Sequence, residues 1–320
     1  MFGFLTYPTR WFWDGTRTDL FEAGLLGERP TREPKVLLRS TLKGTPFIAF
    51  EDGYVAMDSA DKMLITRCFN SFFLGLTLLT GSRAEPVTDK VLEKVEINSD
   101  DTRILREQPL ILAGNFVSAH PQLRRGDRNA MPPYPGLEVR HDAYSTEELK
   151  VVLRFAAKLI KRSRPPIAAR FLEVREQAAT GNLTAALILG WTLVEQVVDA
   201  ELMGHLIDQG VPLAQAHESV EGMTSFAVIE RLRRSKPRAI GSGDPTSPRK
   251  GLLLEFDRLR RIRNRVVHGV KPATQRDVNR MTYAAERAMW RTMRQDRVDY
   301  QAFLDRIAPL QTARNERLRH

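Results

Sequence analysis

Gly251-Leu252-Leu253-Leu254-Glu255-Phe256-Asp257-Arg258-Leu259-Arg260-Arg261-Ile262-Arg263-Asn264-Arg265-Val266-Val267-His268-Gly269 carries a fold signal and a chemical one. Leu252, Leu253, Phe256, Leu259, Ile262 and Val266 recur at helical spacing and make one apolar stripe. Arg258, Arg261, Asn264 and Arg265 lie off it. Gly269 is placed to cap the helix, and Pro272 cannot continue it. His268 therefore falls in the last turn, where the carbonyl end of the helix dipole favours a cation.

The chain around this helix is helical from Ser145 onward. Ser145-Thr146-Glu147-Glu148 has the form of a helix cap with an acidic first turn, and the helix it opens runs to about Arg162, before Pro165-Pro166. A second helix covers Ile167–Ala179. Asn182 or Leu183 then starts the most apolar helix, through Asp208. Ala186, Leu189, Leu193, Val197 and Val198 wrap most of its surface, which places it in the middle of a bundle. A shorter helix spans Ser225–Ser235, residues 237–249 form a loop rich in Pro, Gly and Ser, and Thr274–Arg297 is the last long helix. Residues 298–320 read as a frayed basic tail with one apolar turn, Phe303–Ile307.

The N-terminal half has a different pattern. Residues 1–35 read as an irregular arm packed by Trp11, Phe12 and Trp13. Val36–Lys43 alternates as a strand. Pro46–Glu51 and Tyr54–Met57 flank Asp52-Gly53, a hairpin turn. Ser59 or Asp61 caps a helix through Leu79 whose Leu64, Cys68, Phe72, Leu76 and Leu79 face a core. Residues 86–125 look mixed, with short strands at Leu110–Leu112 and Asn115–Val117. Arg124–Pro135 breaks every periodic element and marks a boundary. The expected architecture is a mixed α+β domain over 1–135, an all-α bundle over 145–297, and the tail.

At 320 residues, 42% hydrophobic and 28% charged, the chain has material for about two cored domains. A net charge of +10 and a pI near 9.9 favour polyanionic partners, chiefly nucleic acid, or an anionic membrane surface; a chain that simply prefers arginine has the same balance. The single cysteine, Cys68, excludes a disulfide framework within one chain. The N-terminus lacks the form of a signal peptide, and the apolar stretches Phe69–Thr80 and Leu183–Val198 read as too short or too interrupted to span a bilayer. The expectation is a cytoplasmic protein with no membrane partner. His205 and His217 have no tight ligand spacing, His120 and His141 sit in irregular segments, and no phosphate loop, dinucleotide fingerprint or nucleophile elbow occurs. No metal or cofactor is expected.

Asn264 and His268, at i and i+4, share a face. Arg263 and His268, at i and i+5, lie about 140° apart on an ideal helix, so Arg263 must reach across by its length or act across an interface. Arg supplies a permanent fork for phosphate, and His moves a proton near neutral pH. RNA cleavage by the neighbouring 2′-hydroxyl needs a base for the hydroxyl and a cation for the pentavalent phosphate; no metal is required. A histidine at a helix end is also what an ordinary cap looks like. Glu195, mid-helix in an apolar run, needs a partner. It either orients Arg263 or His268 or forms a salt bridge between two helices. Trp191 reads as core. Arg231, Arg233 and Arg234 with Lys236 and Arg238 form one basic cluster; Lys250, Arg258, Arg260, Arg261 and Arg265 form another. Each is a candidate RNA-backbone contact or a solvated face.

Leu259–Gly269 is similar to the Arg-x4-6-His motif of the HEPN superfamily in its Arg-Asn-x3-His-Gly form, and Ala185–Leu202, with Trp191 and Glu195, looks like that family's Trp-x3-Glu helix. With the helix order, the segment 145–297 resembles a HEPN domain of the ApeA-like branch. The resemblance implies a helical bundle that dimerises and brings Arg263, Asn264 and His268 of two chains into one cleft. It implies an endoribonuclease acting without metal, and on that reading His268 is expected as general acid and base, Arg263 to stabilise the phosphate charge and Asn264 to orient; the basic clusters independently make Arg260, Arg261, Arg265, Arg231 and Arg234 the expected RNA contacts. Many members are toxins or antiviral effectors against phage, so the N-terminal domain is expected to sense a protein or phage-derived trigger or to gate the site. Other members only bind RNA or proteins.

Overall fold

Two short turns set the first half of the chain. At Lys43-Gly44 both residues have positive φ (58° and 77°), the two-residue hairpin turn whose twist matches the flanking strands; at Asp52-Gly53 the glycine has φ 79° and its N–H reaches Phe50 O. These turns join β3 (Val36–Leu42), β4 (Thr45–Phe50) and β5 (Tyr54–Met57) in an antiparallel meander. The computed structural model describes residues 1–5, 11–12, 14, 34–80, 84, 86–105, 143–162, 167–234, 248–292, 305–306, 308–313 and 316. Within these residues β1 (Phe2–Leu5), β6 (Glu93–Ile97) and β7 (Arg103–Leu105) complete a six-stranded sheet in the order β3-β4-β5-β1-β6-β7. A separate parallel pair joins β2 (Trp11–Phe12) to β8 (Ala143–Tyr144).

The expected irregular arm is therefore corrected at its start. Phe2–Leu5 is an inner strand, paired antiparallel with Tyr54–Met57 on one side and with Glu93–Lys94 on the other. The expected strands at 110–112 and 115–117, the boundary at 124–135, His120 and His141 lie outside the described residues.

Helix α1 (Lys62–Thr80) is capped by Asp61, whose Oδ1 accepts from the N–H groups of Met63 and Leu64. Its Phe69, Phe72 and Phe73 pack edge-on against Phe4, Phe12 and Phe47 from the strands, and Cys68, Leu76 and Leu79 are buried. Burial pushes the Cys68 thiol up to about 11, so it behaves as a small hydrophobe. The opposite sheet face holds a second cluster of Ile48, Phe50, Tyr54, Ala56 and Val95. Helix α2 (Thr146–Arg162) packs along α1, with Val152 and Phe155 over Gly75.

The chain divides into one unit of Met1–Ala169 with Arg297–His320 and another of Arg170–Asp296. This division passes through α3 (Ile167–Ala179). α2 groups with the sheet rather than with the later helices. The C-terminal segment groups there too, with Gln311 Nε2 donating to Leu79 O.

The second unit is all helical among its described residues. α4 (Leu183–Asp208) starts at Asn182, whose side chain accepts from Ala185 N, and runs through the middle of the core. Around it lie α5 (Leu213–Glu221), α6 (Ser225–Arg234), α7 (Pro248–Val267) and α8 (Gln275–Thr292). α5 was not expected from the sequence. α4 and α8 meet at Gly190, where an added Cβ would stand 2.6 Å from Met281 Cγ. Trp191 is 1% exposed within this core. Both α1 and α4 are long and apolar enough to cross a membrane by length and composition, which the shorter apolar runs had not suggested. Each forms the core of its own unit.

Candidate active site

The stripe on α7 is buried as its spacing requires: Leu253, Phe256, Leu259, Ile262 and Val266 all face the core, and the side chain of Leu252 lies outside the described residues. The helix ends in a Schellman motif. Val270 N–H bonds to Arg265 O at 2.8 Å and Gly269 N–H to Val266 O at 3.0 Å, with Gly269 at φ 69°. His268 is the capping residue itself. Its N–H bonds to Asn264 O at 2.9 Å, its side chain is exposed, and its ring has no hydrogen-bond partner among the described residues.

The return into α8 is equally built. Thr274 and Asp277 form a reciprocal cap, with Thr274 Oγ1 donating to Asp277 Oδ2 at 2.8 Å and Asp277 N–H donating to Thr274 Oγ1 at 3.2 Å. Lys271 Nζ lies 2.8 Å from the same carboxylate oxygen. Burial alone would raise the Asp277 carboxyl; the bonds from Lys271 and Thr274 outweigh it and hold the group below the usual carboxylate range. The turn that presents His268 is thus fixed on both sides.

Arg263 and Asn264 sit half-buried one turn earlier. Arg263 Nη1 donates to Asn264 Oδ1 at 3.1 Å, while Arg263 Nε is buried with no partner among the described residues. Arg263 and His268 are not joined by a hydrogen bond, in keeping with their angular separation on the helix. The structure brings Arg263 to Asn264 and Asn264 to the backbone of His268.

Of the two alternatives for Glu195, orienting the motif or a salt bridge between helices, neither occurs among the described residues, though it does link two helices. Its Oε1 accepts from Ser225 Oγ at 2.5 Å, linking α4 to the start of α6, and it bonds to neither motif residue among the described residues. One turn on, burial pushes Asp199 up to about 6, and the Glu195 charge adds to the rise.

The candidate RNA contacts fall into three kinds. Arg265 and Arg231 are exposed and make no ion pair among the described residues. Arg234, 84% exposed, lies 4.0 Å from Glu230, which pairs more closely with Arg233 at 2.5 Å. Arg260 and Arg261 are both held by Asp257, through bonds of 2.9 and 2.6 Å. The Arg260 guanidinium also lies 4.8 Å from the ring centre of Phe226 on α6. Asp257 and Phe226 were missed at the sequence level. The Asp-x2-Arg-Arg spacing, which sets one carboxylate against arginines at i+3 and i+4, is the signal that finds the first. Lys236, Arg238 and the Lys250 side chain lie outside the described residues.

Elsewhere, His205 meets Gln209 and His217 pairs with Glu221. No group of three or more His, Cys, Asp or Glu able to hold a metal occurs among the described residues. No family model, curated protein or solved structure matches this chain.

Proposed function

We propose that the chain is an endoribonuclease of the HEPN type that cleaves RNA by attack of the 2′-hydroxyl, without a metal. The observation that carries this reading is the Arg263–Asn264 bond beside an exposed His268 on a rigid Schellman turn. His268 takes the 2′-hydroxyl proton and a second His268 returns one to the leaving 5′-oxygen. Arg263 stabilises the charge on the pentavalent phosphate, and Asn264 holds Arg263 in place. One chain offers one histidine and an arginine that does not bond to it, so the complete site takes two copies. Cytoplasmic RNA is the substrate, and the biological role is that of a toxin or an antiviral effector, with the N-terminal unit answering to a protein or phage-derived trigger. The test is incubation of pure protein with structured RNA in EDTA, comparing wild type with His268→Ala. Products ending in 2′,3′-cyclic phosphate and 5′-hydroxyl, lost in the variant, support the reading.

A second reading is a binding module that dimerises and holds RNA or an acidic protein without cutting. The exposed Arg231 and Arg234 favour it, since they lie on a different helix from the motif. It expects His268→Ala to leave both affinity and cellular effect intact, and charge reversal at Arg231 and Arg234 to remove both.

A further inference from the structure

Beside the three motif residues, α7 carries a second built feature. The side chain of Asp257 is 9% exposed, and each of its carboxylate oxygens is used. Oδ1 accepts from Nε and Nη2 of Arg260 at 3.1 and 2.9 Å, and Oδ2 accepts from Nη2 of Arg261 at 2.6 Å. Phe226 supports the Arg260 guanidinium from the neighbouring helix. The Arg261 side chain stays 69% exposed. Asp257, Arg261, Asn264 and His268 stand at i, i+4, i+7 and i+11, which is one helical face.

A buried anion is an odd choice on a basic face if charge alone matters. Arg258 and Arg265 on the same helix are exposed and have no acidic partner among the described residues, so an arginine here needs none. What Asp257 adds is direction. Arg260 is held through Nε and Nη2 and Arg261 through Nη2 alone, which leaves Nε and Nη1 of Arg261 free among the described residues; a guanidinium anchored at one nitrogen presents that fork to a phosphate more often than an untethered side chain does. Arg261 precedes His268 by seven residues, about 10 Å along the axis. It is therefore set to meet a neighbouring phosphate of the strand and not the one being cleaved.

We propose that Asp257 is a positioning residue that locks Arg260 and Arg261 into a fork, with Arg261 receiving an RNA phosphate next to the cleaved one. The proposal rests on the ribonuclease reading for the identity of the strand. Ion pairs at these spacings also support a helix, so the test must separate placement from stability.

The charge supplies that separation. Asp257→Asn makes the protein more positive, and on charge alone it binds RNA more tightly. Positioning predicts the reverse. The full chain is titrated with a fluorescein-labelled, fully 2′-O-methylated single-stranded RNA, which cannot be cleaved, and thermal unfolding is followed in parallel. Asp257→Asn is expected to weaken binding roughly fivefold, and Arg261→Lys, which keeps the charge and loses the fork, to do the same. Arg261 is exposed enough for its variant to fold even if Asp257→Asn does not. On cleavable RNA both raise KM and leave kcat unchanged. Binding by Asp257→Asn as tight as wild type or tighter, or by Arg261→Lys unchanged, overturns the proposal, as does a fall in kcat at constant KM. Because the binding probe cannot be cut, a wild type that cleaves no RNA defeats the ribonuclease reading alone, and the affinities still decide the fork.

Discussion

Arg263 Nη1 donates to Asn264 Oδ1 at 3.1 Å, so two sequence neighbours on one helix turn toward each other. The bond ties a half-buried guanidinium to the residue that shares a helix face with His268. Lysine at this position keeps a charge but has no fork to hold both Asn264 and a phosphate. Arg263→Lys is expected to lower kcat for RNA cleavage by about 100-fold while changing RNA affinity by less than about threefold. Asn264→Ala is expected to follow it. Single-turnover cleavage with parallel binding titrations checks both.

Gly269 closes the Schellman turn at φ 69°, with open space where a Cβ would go. Gly269→Ala is therefore strained by its backbone and not by a clash, and should cost about 1 kcal/mol in chemical denaturation. Gly181→Ala is the control, since Gly181 has φ 79° and equally open space before α4. Both variants should lose similar stability. Only Gly269→Ala should also lose cleavage, because it alone moves His268.

Gly190 lets α4 and α8 touch at Met281. Gly190→Val forces a branched side chain into a contact where even a Cβ is too close. Destabilisation of about 1–3 kcal/mol is expected, read from the urea midpoint. Gly190→Ala should cost less, because it sets one added carbon against Met281 Cγ where valine sets three.

Asp199 has a folded-state pKa raised to about 6 by burial first and by Glu195 second. A raised carboxyl means the folded state holds its proton longer than the unfolded chain does. Its contribution to stability is full below the unfolded value of 3.8 and is lost as pH rises through about 6. Asp199→Asn should thus be more stable than wild type at pH 8, by on the order of 1 kcal/mol after solvent screening is allowed for, and indistinguishable from it near pH 3.5. Thermal unfolding across that range is the measurement. A variant equally destabilised at every pH contradicts the assignment.

The elements that read most clearly in the sequence are those whose pattern is local. The stripe Leu253, Phe256, Leu259, Ile262 and Val266, the cap at Gly269 and the all-round apolar surface of α4 each follow from spacing within one helix. The misreadings depended on distant partners. Phe2–Leu5 becomes a strand only because Tyr54–Met57 and Glu93–Lys94 flank it, and nothing in four residues announces that. The cap at Ser145 announces α2 but not its neighbour, and that Val152 and Phe155 pack over Gly75 of α1 is visible only in three dimensions. Lys43 at positive φ is rare for a side-chain-bearing residue, which hid the first hairpin turn. At the candidate site, the motif residues and the end of their helix were legible, while Asp257 was hidden among Arg258, Arg260, Arg261 and Arg265, which read as one basic cluster.

If His268 moves protons at an RNA phosphate, its loss must show in the products. Wild type and His268→Ala are incubated with the same structured RNA in EDTA at near-neutral pH, and the ends of the products are mapped. The expected result is cleavage by wild type with 2′,3′-cyclic phosphate ends, and at least about 100-fold slower cleavage by His268→Ala at unchanged RNA affinity. Identical RNA patterns from the two proteins, with the N-terminal trigger satisfied, would contradict it.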